Sequence, residues 1–224
     1  MKSAPFRLAV LASGRGSNLR ALIQAQERGE LDTRIVGVFS DRPACAALAL
    51  AREHGIPTLA AKPAKFASRQ AFDDFMFREI EAVQPDLIVC AGYMRLISES
   101  VVRRFPGRMI NIHPSLLPKY PGLDTHMRVL EAGDSEHGAS VHCVIPALDA
   151  GAVIAQARVP VLPGDDADSL AQRVLEREHS VLVQCVKAIA DGTIELGTNH
   201  IDWRGKPLHS PLRLNQRDQL EEST

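Results

Sequence analysis

Asn111 and His113 stand two residues apart in the run Asn111-Ile112-His113-Pro114-Ser115-Leu116-Leu117-Pro118. At the end of a strand that spacing sends both side chains to the same side, because successive strand side chains alternate. An amide N–H beside an imidazole that can carry a proton is what acyl transfer needs. Negative charge gathers on a carbonyl oxygen as the tetrahedral intermediate forms, and both groups can donate to it. The plainer reading is a structural histidine in a Pro-rich loop. A carboxylate would orient the imidazole and favour its charged form. Asp149, in Leu148-Asp149-Ala150-Gly151, Asp124 and Asp165 all qualify, and spacing does not choose among them. An aspartate in a hairpin turn is also an ordinary turn residue.

A second candidate is the turn Ser13-Gly14-Arg15-Gly16-Ser17-Asn18, which follows the apolar run Leu8 to Ala12. Leu19, Leu22 and Ile23 then recur at helical spacing, so the turn joins a strand to a helix start. There, backbone N–H groups and the helix dipole favour an anion such as phosphate. The alternative is a helix start capped by Ser17 or Asn18. The dinucleotide fingerprint fails at its third glycine, where Leu19 stands, and the G-x-x-x-x-G-K phosphate loop is absent, which weighs against NAD and ATP.

Other chemistries fit less well. Gly138-Ala139-Ser140-Val141-His142 lacks the second glycine of a nucleophile elbow and reads as strand, which argues against a serine hydrolase. His113, His126, His137 and His142 show no ligand spacing of the HExxH kind, so no metal is expected. Cys45, Cys90, Cys143 and Cys185 form no CxxC pair and read as reduced, buried thiols.

Strand and helix alternate along the chain that carries these residues. Ile35 to Phe39 predicts a strand, Cys45 to Glu53 a helix, and Leu87 to Ala91 a buried strand. Phe72, Phe75, Met76, Ile80 and Val83 form one helical stripe. Arg108 to Ile112 predicts a short strand that opens into the Pro-rich stretch His113 to Gly122, which regular helix excludes. Such alternation implies an α/β fold with a mostly parallel sheet, and ligands of open parallel sheets bind beyond the carboxyl ends of the strands. Gly138 to Val144 and Val153 to Val161 predict an antiparallel pair around Asp149-Ala150-Gly151, and a long helix follows from about Ala167 to Ala190. Pro207 to Thr224 is polar and charged and reads as a loosely held tail.

The chain has 224 residues, 45% hydrophobic and 24% charged, with a net charge of −1. This composition excludes wholesale disorder, collagen and coiled coil. The near-neutral balance removes the basic footprint of a protein that binds nucleic acid through phosphates. No apolar run reaches the length of a membrane span, and Met1 to Phe6 lacks a signal's apolar core, so a cytoplasmic location is expected.

Four stretches together carry a resemblance: Ser13 to Leu19, Ala91-Gly92-Tyr93-Met94-Arg95, Asn111 to Gly122 and Leu148 to Gly151. Over about residues 6 to 205 the chain resembles the phosphoribosylglycinamide formyltransferases, within the folate-dependent formyltransferase family. The resemblance implies a Rossmann-like fold, a mostly parallel twisted sheet flanked by helices with an antiparallel carboxy-terminal portion, in a single domain over residues 1–206. It implies 10-formyltetrahydrofolate as co-substrate, glycinamide ribonucleotide as acceptor and no metal, in a monomer or homodimer. Asn111, His113 and Asp149 would be catalytic. Gly16, Ser17 and Asn18 would hold the substrate phosphate and Glu178 the ribose hydroxyls, although Glu178 by itself reads as a solvated helix carboxylate. Met94, Arg95, Leu96 and Ile97, with Val144, Ile145 and Leu148, would line the folate pocket, and Arg69 would meet the folate's glutamate tail.

The chain departs from that pattern at Asp124, where better-known members often carry His, and in the cation Arg15. Two relatives share the Asn-x-His pair. The tRNA formyltransferases are longer and basic, and the formyltetrahydrofolate hydrolases usually carry an amino-terminal regulatory domain, so the glycinamide enzyme is the expected match. A non-catalytic nucleotide-binding module would need the Gly loop alone, without Asn111, His113 and Asp149.

Overall fold

The computed structural model describes residues 4–198 and 200–223. Residues 1–3, part of the stretch read for a signal, and 224, the end of the expected tail, lie outside the described residues. The described residues group into two compact units, divided after Asn111.

The first unit contains β1 (Phe6–Leu11), α1 (Ser17–Glu27), β2 (Thr33–Ser40), α2 (Ala46–Glu53), β3 (Thr58–Ala60), α3 (Arg69–Ala82), β4 (Leu87–Cys90), α4 (Glu99–Val102) and the start of β5 (Met109–His113). Its strands pair in the order β3-β2-β1-β4-β5, and every pairing is parallel. That is the Rossmann order, whose switch point lies between the first and fourth strands. Leu8 to Leu11 and Leu87 to Val89 are almost wholly buried, as expected of parallel strands covered on both faces. Helix α1 turns Leu19, Leu22 and Ile23 inward, and α3 does the same with Phe72, Met76 and Ile80. Phe75 of the expected stripe is only half-buried, and Phe77 takes a fully buried place beside it.

The second unit holds α5 (Thr125–Ala132), β6 (Glu136–Cys143), β7 (Val153–Pro160), α6 (Ala167–Ala190), β8 (Ile194–Leu196), β9 (Ile201–Trp203), β10 (Lys206–Pro207), β11 (Leu212–Leu214) and β12 (Leu220–Glu221). Strands β6 and β7 are antiparallel from Glu136↔Pro160 to His142↔Val153. Helix α6 starts at a capping box in which Asp166 accepts from the Ser169 N–H and the Ser169 side chain pairs back to the Asp166 N–H. The small antiparallel sheet β10-β9-β8 follows it. The architecture is therefore the expected mixed, mostly parallel α/β type with an antiparallel carboxy-terminal portion.

The loosely held tail is not what the structure shows. Strand β11 adds parallel to β7, β12 pairs antiparallel with β11, and Leu212 and Leu214 are buried. Arg177 of α6 ties the segment down, donating to Asp218 Oδ1 at 2.6 Å and to the Asn215 carbonyl at 2.7 Å. Two inward leucines at period two, held by a neighbouring strand, supply what composition alone does not register. Among the described residues no helix is long and apolar enough to cross a membrane.

Candidate active site

In the first unit three features gather at the carboxyl ends of parallel strands: the Gly loop after β1, the segment 91–98 after β4, and Asn111 on β5 opposite Cys90. Gly16 is the N-cap of α1 at φ 79°, a conformation that favours glycine. A Cβ there would lie 2.8 Å from Ala47 Cα, so α2 packs too closely for any side chain. The cap position is thus taken by Gly16 rather than by Ser17 or Asn18, and the capping alternative does not describe this helix start. Leu19, at the third position of the failed fingerprint, is fully buried under the loop.

Met94 and Leu96 are 55% and 49% exposed, while the Arg95 guanidinium lies 5.1 Å from the Phe72 ring centroid. Ile97 is half-buried, and Ser98 closes the segment by donating its N–H and hydroxyl to Asp73 Oδ2 at 2.8 and 2.5 Å. Arg69 is the exposed first residue of α3.

The second unit carries the imidazole. Its Nε2 lies 3.0 Å from the Tyr120 carbonyl oxygen, so Nε2 of His113 carries a proton and donates. Its Nδ1 faces Asp149 Oδ2 at 3.5 Å, and Asp149 Oδ1 faces His142 Nε2 at 3.6 Å. The Gly122 N–H donates to Asp149 Oδ2 at 2.9 Å and orients the carboxylate. With Nε2–H engaged by a backbone carbonyl, only the imidazolium form has an Nδ1–H to offer a substrate oxygen. At 3.5 Å that edge is inside the field of Asp149 without being locked in a short hydrogen bond. Asn111 is two residues back on the same strand. An amide and an imidazole two residues apart on β5 are the donor types an oxyanion requires.

This geometry chooses among the aspartates. Asp165 is engaged with Arg173 at 2.7 and 2.8 Å and with the Leu162 N–H, which hold its carboxyl well below the ordinary range. Asp124 is the left-handed N-cap of α5. Asp149 alone of the three is paired with His113. Gly151 makes its loop possible, since a Cβ there would fall 1.8 Å from the Cys143 carbonyl oxygen. The same loop holds Val144 half-buried and leaves Ile145 and Leu148 41% and 54% exposed.

Ser140, set aside as a nucleophile, is a fully buried support of the His loop. Its hydroxyl donates to the Ser115 carbonyl at 2.6 Å and accepts from the Leu117 N–H and Gln156 Nε2, each at 3.0 Å. Thr125 adds a bond to the Pro114 carbonyl at 2.7 Å. Sequence reading missed Ser140, Gln156 and the Tyr120 carbonyl, since a buried hydroxyl and a backbone oxygen leave no local pattern. His126 Nδ1 and His137 Nε2 lie 3.0 Å apart, bonded to each other. Burial lowers the pKa of both, that of His137 to about 4, and burial also lowers His142. Glu178 on α6 is buried, so the solvated-carboxylate reading does not hold.

A family model described as formyl transferase matches residues 6–186. The chain belongs to the formyltransferase family. All the candidate residues of this formyltransferase, Gly16 through Glu178, fall within the matched segment. It is 44% identical over 194 residues to the phosphoribosylglycinamide formyltransferase of Escherichia coli, covering 87% of this chain and 92% of that protein. A solved phosphoribosylglycinamide formyltransferase from Coxiella burnetii is similar with a TM-score of 0.88 at 42% identity, over 92% of this formyltransferase and 96% of that chain. A formyltetrahydrofolate deformylase from Burkholderia mallei is similar with a TM-score of 0.80 at 26% identity, over 89% of this chain and 70% of that one.

Proposed function

We propose that the chain transfers the formyl group of 10-formyltetrahydrofolate to the amine of N1-(5-phospho-D-ribosyl)glycinamide, giving the N-formyl product and tetrahydrofolate, a step of de novo purine synthesis. The observation that carries the reaction class is the His113–Asp149 pair at the strand end that also holds Asn111. Likeness along nearly the whole length of relatives bearing the glycinamide name supports the acceptor.

In this reading the neutral amine attacks the formyl carbon, and the new C–N bond pushes the carbonyl electrons onto oxygen. The Asn111 amide and the Nδ1–H of protonated His113 receive that charge. Asp149 keeps the imidazolium oriented and, through water, helps pass the proton from the attacking amine to the departing folate nitrogen. Collapse of the intermediate breaks the bond to that nitrogen. No metal and no covalent enzyme intermediate enter the step.

Gly16, Ser17 and Asn18 hold the phosphate and Glu178 the ribose hydroxyls. Met94 and Leu96 of the first unit and Ile145 and Leu148 of the second expose apolar side chains of the kind a flat pterin ring takes; Arg95, Ile97 and Val144 are assigned to the same ligand and Arg69 to its glutamate tail. The protein works in the cytoplasm as a monomer or homodimer, without nucleic-acid or membrane partners.

The test mixes purified protein with 10-formyltetrahydrofolate, with and without glycinamide ribonucleotide, and follows tetrahydrofolate by absorbance and formylated ribonucleotide by mass. Turnover that requires the ribonucleotide is the expected result. Tetrahydrofolate released in its absence would instead favour the hydrolase reading, which the likeness to the deformylase keeps as the second possibility.

A further inference from the structure

Ser13 is 1% exposed, and its hydrogen bonds lead away from its own turn. Its N–H donates to the Gly92 carbonyl at 3.0 Å. Its hydroxyl donates to Asp41 Oδ1 at 2.6 Å and accepts from the Met94 N–H at 3.0 Å. A hydroxyl has one proton and two lone pairs, whereas an ionised carboxylate only accepts. Asp41, itself 8% exposed just beyond β2, therefore fixes the rotor of Ser13 and turns a lone pair toward Met94.

These bonds lie at the switch point between β1 and β4, where the Gly loop and the segment 91–98 leave adjacent strands. Ser13 holds the near end of Met94 to Ile97, and Asp73 holds the far end through Ser98. Gly16 is three residues from Ser13 within one turn, and Ser13 connects that turn to the Met94 amide through a 3.0 Å bond and to Asp41 through a buried 2.6 Å bond.

We propose that Ser13, oriented by Asp41, is a positioning residue that couples the phosphate-holding turn to the folate-lining segment, so that binding of either substrate strengthens binding of the other. This rests on the substrate roles given above for Gly16 to Asn18 and for Met94 to Ile97. Reciprocity follows from linkage: the factor by which the ribonucleotide tightens the folate equals the factor by which the folate tightens the ribonucleotide.

The experiment measures the Kd of tetrahydrofolate, which carries no group to transfer, with and without saturating glycinamide ribonucleotide, alongside kcat and both KM values. The wild-type protein is expected to show a coupling factor of about 5 or more. In Ser13→Ala that factor falls to within about twofold of unity, and KM for the formyl donor rises about tenfold while kcat changes less. Asp41→Asn keeps an acceptor oxygen and restores the coupling, whereas Asp41→Ala reproduces Ser13→Ala. The Asp41 pair carries the test if Ser13→Ala does not fold. Wild-type coupling in both alanine variants, a coupling factor of one in the wild type, or equal losses in every constant without rescue by Asp41→Asn would overturn the inference while normal wild-type turnover left the function standing. A wild-type protein with no turnover would overturn the function and, with it, the inference.

Discussion

The Oδ2 of Asp149 lies 3.5 Å from the Nδ1 of His113, and both side chains are less than a tenth exposed. Because the opposite ring nitrogen donates to the Tyr120 carbonyl, Nδ1 carries a proton only in the imidazolium form. His113→Ala and Asn111→Ala each remove one proposed oxyanion donor and are expected to lower kcat by about 10²–10³-fold. Asp149→Asn retains an acceptor for the Gly122 N–H but not the negative charge, and is expected to lower kcat at least as much as KM rises. Steady-state kinetics on variants with native circular dichroism check this, and near-wild-type turnover in His113→Ala would defeat the assignment.

Gly16→Ala meets two penalties, a left-handed φ of 79° and a Cβ placed 2.8 Å from Ala47 Cα. The backbone strain costs about 1–2 kcal/mol before any shift of α2 is counted. Urea denaturation should show at least that loss, and KM for the ribonucleotide should rise more than KM for the folate. Equal stability of the variant and the wild type would contradict the close packing of the loop on α2.

Burial pushes the His137 imidazole down to about 4 from its ordinary value of about 6.5. Between these values the unfolded chain binds a proton that the folded chain refuses, so stability is retained above about 6.5 and declines as the pH falls toward 4. His126 and His142, also lowered chiefly by burial, act in the same direction. Denaturation midpoints at several pH values should fall with acidification, and His137→Gln should flatten the slope. An unchanged slope in that variant would show that His137 is not the group responsible.

Ser140→Ala leaves the Leu117 N–H without its partner beneath the His loop and takes the hydroxyl from Gln156. An unsatisfied buried polar group costs about 1–3 kcal/mol, which should appear as a lowered melting temperature. Because the loop follows directly on His113, kcat is expected to fall as well. A stability loss with kcat unchanged would separate Ser140 from the placement of the imidazole.

Asp124→His replaces a carboxylate at the left-handed N-cap of α5, two residues after Gly122, which itself donates to Asp149. The pH profile of kcat is expected to shift, since the net charge around the His loop changes. An identical profile in the variant would show that Asp124 has no part in setting it.

The alternation of strand and helix, the long helix Ala167–Ala190 and the Asn111–His113 spacing were legible because each depends on a short-range regularity. Helix α5 and strands β8 to β12 were not. Helix α5 is eight residues long and buries little beyond Val129, and the late strands are two or three residues each, too short to express a period. Their stability comes from neighbours: β11 exists because β7 offers an edge and Arg177 reaches Asp218.

By itself the sequence determined the longer elements, the Gly loop and the pair of residues on β5, since apolar period and turn chemistry act within a few residues of where they are written. Only the tertiary structure decided that Asp149 rather than Asp124 or Asp165 faces His113, that Glu178 is buried, and that Ser13 links Asp41 to Met94. Each of these relations joins segments far apart in the chain. Their partners are selected by which loops the packed strands bring together and by which buried polar groups must then be satisfied.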